Sequence, residues 1–446
     1  MIQIPESVKE LLKQLNKKGY EAYLVGGCVR DTIMGKVPFD WDICTDALPS
    51  EVKEAFSEYH VIETGLQHGT VTVVLNRMPI EVTTYRTEGE YTDHRRPSEV
   101  EFVSDLKEDL ARRDFTINAL AYHPEIGLID YFEGQKDIEN KVIHCVGKPE
   151  ERFEEDALRI LRALRFASRL GFRITSEVKQ AIYNKKHLLA EISQERIYSE
   201  FCGILMGQYV VDVLLEYRDI IAEFIPEIIP TFDFPQNTPY HQYDVYRHIV
   251  ETVGAVDEDL TLRLTMFFHD IGKPDMQIQD EEGIDHFYEH ADKSVEITRK
   301  VLNRLKVDNE TKHRVLLLIQ WHDASIKKKK ILSWLNRLGE GDFRQLLKVK
   351  RADALGQADE IQKNSLQELT ELEKALDFEL VKGSCFSLAQ LEIDGKDLIA
   401  LGISKGKEIG LILETLLKEV MEEKLQNSPD DLKKRAYEIY AKEGKK

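Results

Sequence analysis

The chain predicts an α+β fold: a head built on a small mixed sheet packed with helices, followed by an all-helical remainder. Three observations carry this. Helical and strand patterns alternate through residues 1–145, strand patterning fades from Pro149 onward in favour of helical periodicity, and 446 residues suffice for about three domains with real cores.

Residues 7–18 have the apolar spacing of an amphipathic helix, and the apolar run 22–25 reads as a strand that breaks at Gly26 and Gly27. Residues 29–34 read as a helical turn. Strands are expected at 40–44, 70–75 and 80–85, the last carrying Glu81 as an additional carboxylate. A long helix is expected over 154–170. Pro226, Pro230, Pro235 and Pro239 punctuate a linker at 226–240. A His-rich helical block follows from His241 to Asp323, and the last hundred residues read as helix. The expected division is therefore a head (1–145), a helical neck (146–235), a His-rich body (236–335) and a helical tail (336–446).

Composition narrows the class. No apolar run approaches the roughly 20 residues of a membrane span, and the N-terminus lacks a basic-then-apolar signal pattern. Five scattered cysteines with no C-x-x-C argue for reduced thiols in a cytoplasmic protein, without structural zinc or a disulfide framework. The net charge of −19 taken alone favours small-molecule substrates or a protein partner. A local field over a cleft, however, decides whether a polyanion docks.

The chemistry-bearing residues begin at Gly26-Gly27, where backbone N–H groups can approach an anion without side-chain obstruction. Arg30 and Asp31 follow, then Asp40 and Asp42. In an extended segment an i, i+2 spacing puts both carboxylates on one face. Close like charges repel, so the pair suits Mg²⁺, which is commonly held by one or two carboxylates plus substrate phosphates. A phosphate cradle beside such a pair is the minimal kit for phosphoryl or nucleotidyl transfer.

Residues 86–97 form a polar segment with basic and aromatic residues, suited to a mobile lid or lever. Arg112 and Arg113 offer bidentate phosphate contacts, with Asp114 able to accept from a ribose hydroxyl and Asn118 close by. On the expected helix 154–170, Arg159, Arg162, Arg165 and Arg169 fall on one stripe while Ile160, Leu161 and Leu164 lie on another side. Such a stripe suggests a polyphosphate groove, despite the negative net charge.

Asp156 and Arg159, at i and i+3 of that helix, would be neighbours. Cytosine and adenine both present an exocyclic amine donor beside a ring-nitrogen acceptor; uracil and guanine present the reverse order. A carboxylate next to a guanidinium matches C and A. It leaves G and U with clashing groups, a mismatch of about 1–3 kcal/mol.

These residues resemble a known family. L-V-G-G-C-V-R-D…D-W-D, R-R-D-F-T-I-N-A-L, E-D-A-L-R-I-L-R-A-L-R-F-A-S-R-L-G-F and Glu195-Arg196-Ile197-x-x-Glu200 follow, in order, the motifs of class II tRNA nucleotidyltransferases, relatives of bacterial poly(A) polymerases. The resemblance spans residues 20–205. It implies a polymerase-β-like head, with Asp40 and Asp42 holding Mg²⁺ and acting in catalysis. Gly26, Gly27 and Arg30 would bind the triphosphate, and Arg112, Arg113, Asp114 and Asn118 would handle ribose and phosphates. Asp156 and Arg159, backed by Glu155 and Arg162 with Arg165 beyond, would select CTP and ATP for addition to tRNA as C, C and A. The loop 86–97 resembles the element used in switching to ATP. The rival readings are an A-adding enzyme, a poly(A) polymerase, or a phosphohydrolase whose head only binds RNA.

The block His248…His269-Asp270…His290…His322-Asp323 resembles an HD-type metal site. Neutral imidazoles and carboxylates suit a divalent transition metal with open positions. The resemblance assigns His248, His269, Asp270 and Asp323 as its ligands, with phosphohydrolase chemistry as the implied use and an RNA-binding scaffold as the alternative.

Overall fold

The computed structural model describes residues 3–66, 69–88, 100–403 and 406–443. Most of the 86–97 loop therefore lies outside the described residues. The chain folds as two compact units. The first is Met1–Glu227 with Asn303–Val307, and the second is Ile228–Leu302 with Asp308–Lys446.

In the first unit, α1 (Glu6–Lys17) buries Val8, Leu11, Leu12 and Leu15, one face at helical spacing. β1 (Ala22–Val25), α2 (Gly27–Ile33), β2 (Asp42–Thr45), α3 (Pro49–Ala55), β3 (His60–Ile62), β4 (Thr70–Leu75) and β5 (Met78–Thr84) follow. A hairpin of β6 (Arg86–Glu88) and β7 (Val100–Phe102) leads to α4 (Leu106–Ala111), β8 (Leu120–His123) and β9 (Gly127–Asp130). β4 alternates between buried and half-buried positions, as a strand with one face on a core requires. The sheet runs in the order β3-β4-β5-β2-β1-β8-β9. β2 and β5 are parallel while the other neighbours are antiparallel, so the sheet is mixed. One part of the core gathers Val25, Cys44, Tyr85, Leu106, Leu110 and Ala121.

α5 (Gly134–Glu139) and β10 (Val142–Ile143) close the head. Then come α6 (Pro149–Glu155), α7 (Leu158–Leu170), β11 (Arg173–Ile174) and α8 (Ser176–Lys185), followed by α9 (Gln194–Leu205), α10 (Val210–Glu216) and α11 (Arg218–Ile221). The single helix expected over 154–170 is in fact two. Asp156 adopts φ −144°, ψ 101°, and its carboxylate accepts from the Leu158 backbone N–H at 3.1 Å. A short acidic side chain that bonds nearby backbone competes with the helix, and here it wins. α9 lies so close to α7 that a Cβ at Gly203 would collide with Arg165 Cδ.

The second unit is helical: α12 (Val245–Ala255), α13 (Leu260–Phe268), α14 (His290–Arg304), α15 (Asn309–Trp321), α16 (Ile331–Leu355), α17 (Asp359–Lys382), α18 (Gly395–Ala400), α19 (Lys407–Met421) and α20 (Pro429–Glu443). Among its described residues it departs from the all-helical expectation at one small hairpin, β12 (Ile278–Gln279) with β13 (Asp285–His286), as the expected helical neck does at β11, which pairs with β10. Leu398, Ile412, Leu416, Leu417 and Leu432 pack its C-terminal core. Among the described residues no helix is long and apolar enough to cross a membrane.

Candidate functional site

Strand pairing gathers the conspicuous residues of the head at one end of the central strands of its sheet. Leu24 lies opposite Ile43, and Val25 opposite Ala121, so the end of β1 adjoins the starts of β2 and β8. The chain leaves β1 through Gly26 at φ 72°, ψ −131°, a conformation that side-chain-bearing residues rarely adopt. A Cβ there would sit 3.0 Å from Arg113 Nη1. Gly27, Arg30, Asp40, Asp42, Arg112, Arg113, Asp114, Asn118, Asp156, Arg159, Arg162 and Arg165 line one cleft with Gly26, of ≈ 750 Å³. Glu155 is the one predicted nucleotide-side residue outside that lining; it reaches the site by pairing with Arg159.

Asp42 opens β2 in register with Glu81 on β5, and Asp40 precedes the strand as an exposed residue rather than starting it. Burial pushes the Asp42 carboxyl up to about 6, helped by the charges of Asp40 and Glu81 and opposed by Arg113. This crowding of negative charge is what a bound cation would relieve.

Opposite the carboxylates, the cations are held by their own partners. Arg30 is buried, donating from Nε to Asp31 Oδ1 at 2.8 Å and from Nη1 to Asn118 Oδ1 at 2.6 Å. Asp114 accepts from Arg162 Nε at 2.6 Å and from Asn118 Nδ2 at 3.2 Å. Burial raises the Asp114 carboxyl, but Arg162, Asn118 and Arg159 outweigh it and hold the group below its ordinary value. Arg159 donates to Glu155 Oε2 at 2.5 Å and to the carbonyls of Arg152 and Arg112. Arg165 donates to Glu200 Oε2 at 2.6 Å. Phe166 lies among three guanidinium groups, those of Arg30, Arg162 and Arg165, at 5.3, 5.7 and 4.5 Å from its ring centre. Each arginine of the α7 stripe is thus pre-oriented by a contact from another part of the chain.

Asp156 and Arg159 both face the cleft, but they are not the i, i+3 helical pair expected. The break after Glu155 frees Asp156, whose Oδ2 accepts from Arg196 Nη2 at 2.7 Å. Arg196 was missed as a site residue although it belongs to the Glu195-Arg196-Ile197 motif, and Arg169 of the stripe also lines the cleft. Asp109 was missed altogether. It is a fully buried carboxylate that binds both Arg112 and Arg113.

The second unit holds a separate cluster. His248, His269, Asp270 and Asp353 place one ligand-type atom each within 4.8 Å of one another, and Asp270, His290 and His322 do the same. Asp270 Oδ2 lies 3.4 Å from His248 Nε2 and 3.2 Å from His269 Nε2, while Oδ1 lies 3.3 Å from His290 Nε2 and 3.5 Å from His322 Nε2. The expected ligand Asp323 is not in this group. It is exposed, whereas Asp353 on α16 approaches His248 Nε2 to 3.0 Å. His322, at the end of α15, turns inward, and its sequence neighbour therefore turns out. Each Nδ1 of His269, His290 and His322 contacts the carbonyl three residues back, at 2.7, 2.7 and 2.6 Å, and that of His248 contacts Gly356 O at 3.3 Å. The Nε2 atoms are left to converge, with His248 and His269 3.3 Å apart and His290 and His322 3.1 Å apart. With the Nδ1 protons on carbonyls, these are lone-pair contacts unless a ring carries a second proton. The donor set fits a metal, with the carbonyls orienting the imidazoles.

Comparisons with known proteins find relatives over most of the chain. Residues 22–144 match the family model of the Poly A polymerase head domain, and 279–436 match that of tRNA nucleotidyltransferase domain 2. A CCA-adding enzyme of Lactiplantibacillus plantarum is 51% identical over 46% of this chain and 50% of its own length, so the match spans about half of that relative. One of Lactobacillus helveticus is 34% identical over 95% of this chain and 94% of its own length. The crystal structure of the Bacillus stearothermophilus CCA-adding enzyme in complex with CTP superposes with a TM-score of 0.74 at 26% identity, covering 99% of this chain and all of that one. Sequence, fold and cleft agree, and the chain belongs to the family of CCA-adding enzymes.

Proposed function

We propose that the head cleft adds C, C and A in turn to the 3′ end of tRNA, using CTP and ATP without a nucleic-acid template. One observation carries this reading: Asp40 and Asp42 share a single cleft with Asp156 and Arg159. The first pair serves the reacting phosphate, and the second reads the base. Asp40 and Asp42 would hold Mg²⁺, which when bound supplies Lewis-acid stabilisation of the transferring phosphate. Arg112, Arg113 and Arg162 orient the triphosphate. The tRNA 3′-hydroxyl gives up its proton to solvent as its oxygen forms a bond to the α-phosphorus, while the bond to the bridging oxygen breaks and pyrophosphate departs. Asp156 accepts from the exocyclic amine of C or A, and Arg159 donates to the adjacent ring nitrogen. The test offers one nucleoside triphosphate at a time to tRNA lacking CCA, tRNA ending in C and tRNA ending in CC. CTP should extend the first two and ATP the third. Extension of the CC-ended tRNA alone would make this an A-adding enzyme, and a run of A on all three a poly(A) polymerase.

The cluster in the second unit supports a second reading, a divalent transition metal held by His248, His269, Asp270 and Asp353 and used in phosphoester hydrolysis. The observation favouring it is the convergence of imidazole Nε2 atoms on both oxygens of Asp270, which extends the donor set to His290 and His322. Purified protein should carry stoichiometric Mn, Fe, Co, Ni or Zn that the His269→Ala/Asp270→Ala variant lacks. Equal metal content in the two proteins would remove this reading and leave the cluster a scaffold.

A further inference from the structure

Asp109 lies outside every motif that marked the cleft, yet its carboxylate is fully buried and joins the end of its own helix, α4, to the start of β6. Oδ1 accepts from Arg112 Nε at 3.0 Å and Nη2 at 2.9 Å, and from the Arg86 backbone N–H at 3.3 Å; Oδ2 accepts from Arg113 Nη2 at 3.3 Å. Arg112 and Arg113 line the cleft, and Arg86 starts the hairpin strand β6. A buried carboxylate without partners is costly, and its removal would leave buried guanidinium charge uncompensated. The same Arg113 feels Asp42: each figures among the charges acting on the other. Arg113 is bonded to Asp109 and lines the same cleft as Asp42, one carboxylate of the reacting pair.

We propose that Asp109 is a positioning residue, which holds Arg112 and Arg113 on the triphosphate side of the cleft, keeps Arg113 from pairing with Asp42, and ties both arginines to the root of the β6–β7 hairpin. With Asp109 neutral, the guanidinium of Arg113 turns to Asp42, the other carboxylate whose charge acts most on it, and competes there with the divalent cation. Burial pushes the Asp109 carboxyl up, but the two arginines hold it below its ordinary value, so it is ionised at neutral pH. A purely structural role would lower the melting temperature and leave metal and nucleotide dependence alone.

The proposal rests on the nucleotidyl-transfer reading. C transfer by the wild-type chain to tRNA lacking CCA, run in the same series, separates failure of that reading from failure of this one. Asp109→Asn should raise the Mg²⁺ concentration for half-maximal C transfer at least fivefold and weaken CTP binding similarly, both in KM and in direct calorimetric titration without tRNA, with kcat at saturating Mg²⁺ and CTP within about threefold. Asp109→Glu, which keeps the charge, should recover most of the Mg²⁺ response. The Asp109→Asn/Arg113→Gln pair removes the competing cation together with its anchor, so it keeps the buried charges balanced. It should need no more Mg²⁺ than Arg113→Gln alone. Unchanged Mg²⁺ and CTP dependence in Asp109→Asn, or the same rise in Mg²⁺ requirement whether or not Arg113 is present, overturns the proposal. Should Asp109→Asn not fold, a higher Mg²⁺ requirement in the double variant than in Arg113→Gln still overturns the proposal.

Discussion

Asp42→Asn is expected to abolish transfer and at the same time stabilise the metal-free protein. The activity loss should be at least about 10³-fold in kcat, equivalent to about 4 kcal/mol of transition-state stabilisation. Asp40→Asn should approach it. The stability gain follows from the crowding of Asp42. Its carboxyl titrates near 6 in the folded chain against an ordinary 3.8, because burial and then the charges of Asp40 and Glu81 disfavour ionisation. The native state therefore holds this proton more tightly than the unfolded chain. Stability from that proton is fully present below pH 3.8 and is lost as pH rises through 6. At pH 7.5 the ionised group costs the fold about 1–3 kcal/mol, and an amide in its place should recover much of that. Thermal unfolding in chelator should show a higher Tm for Asp42→Asn at pH 7.5 and a smaller difference at pH 4.5. An equal or lower Tm at pH 7.5 would mean the carboxylates are not crowded as described. Full transfer by Asp42→Asn would remove the pair from catalysis.

The second large effect concerns base choice. Asp156→Asn replaces an acceptor-only carboxylate with an amide that can also donate, so the group loses its preference for an exocyclic amine. Discrimination of C and A over U and G, measured as the ratio of kcat/KM values, should fall about 10- to 100-fold, equivalent to about 1–3 kcal/mol. Arg159→Met should relax it in the same direction. Inhibition by inorganic tripolyphosphate should change little in either variant, because the proposed phosphate-binding arginines Arg112, Arg113 and Arg162 are left in place. Unchanged discrimination in both variants would refute the assignment of Asp156 and Arg159 to the base. Asp156 also accepts from Arg196, and Arg196→Gln should show part of the same loss.

The parts of this site that could be read from the chain are those whose chemistry is local. Gly26-Gly27 marks a backbone turn, the spacing of Asp40 and Asp42 a shared face, and the arginine repeat of α7 a stripe; each needs only neighbouring residues to interpret. What could not be read depends on pairings far apart in the sequence. Arg165 meets Glu200, Arg162 meets Asp114, and Asp156 meets Arg196 only after the chain has packed. The break at Asp156 was hidden because helical periodicity continues across it, while a single capping bond interrupts the backbone. In the second unit, the resemblance to an HD-type site, with Asp323 downstream of His269-Asp270, points to Asp323 as a ligand. Helix geometry turns neighbouring side chains apart, and the carboxylate comes instead from Asp353 on another helix. Asp109 carried no sequence signal beyond its place in α4, where it shares the buried side with Leu106 and Leu110.

The central claim is that one cleft chooses both bases and builds a defined end. It is tested most directly by offering all four nucleoside triphosphates together to tRNA lacking CCA and sequencing the 3′ ends. The expected product is C, then C, then A, with no U or G and no further extension. Ends carrying U or G, or a continuing run of A, would contradict it.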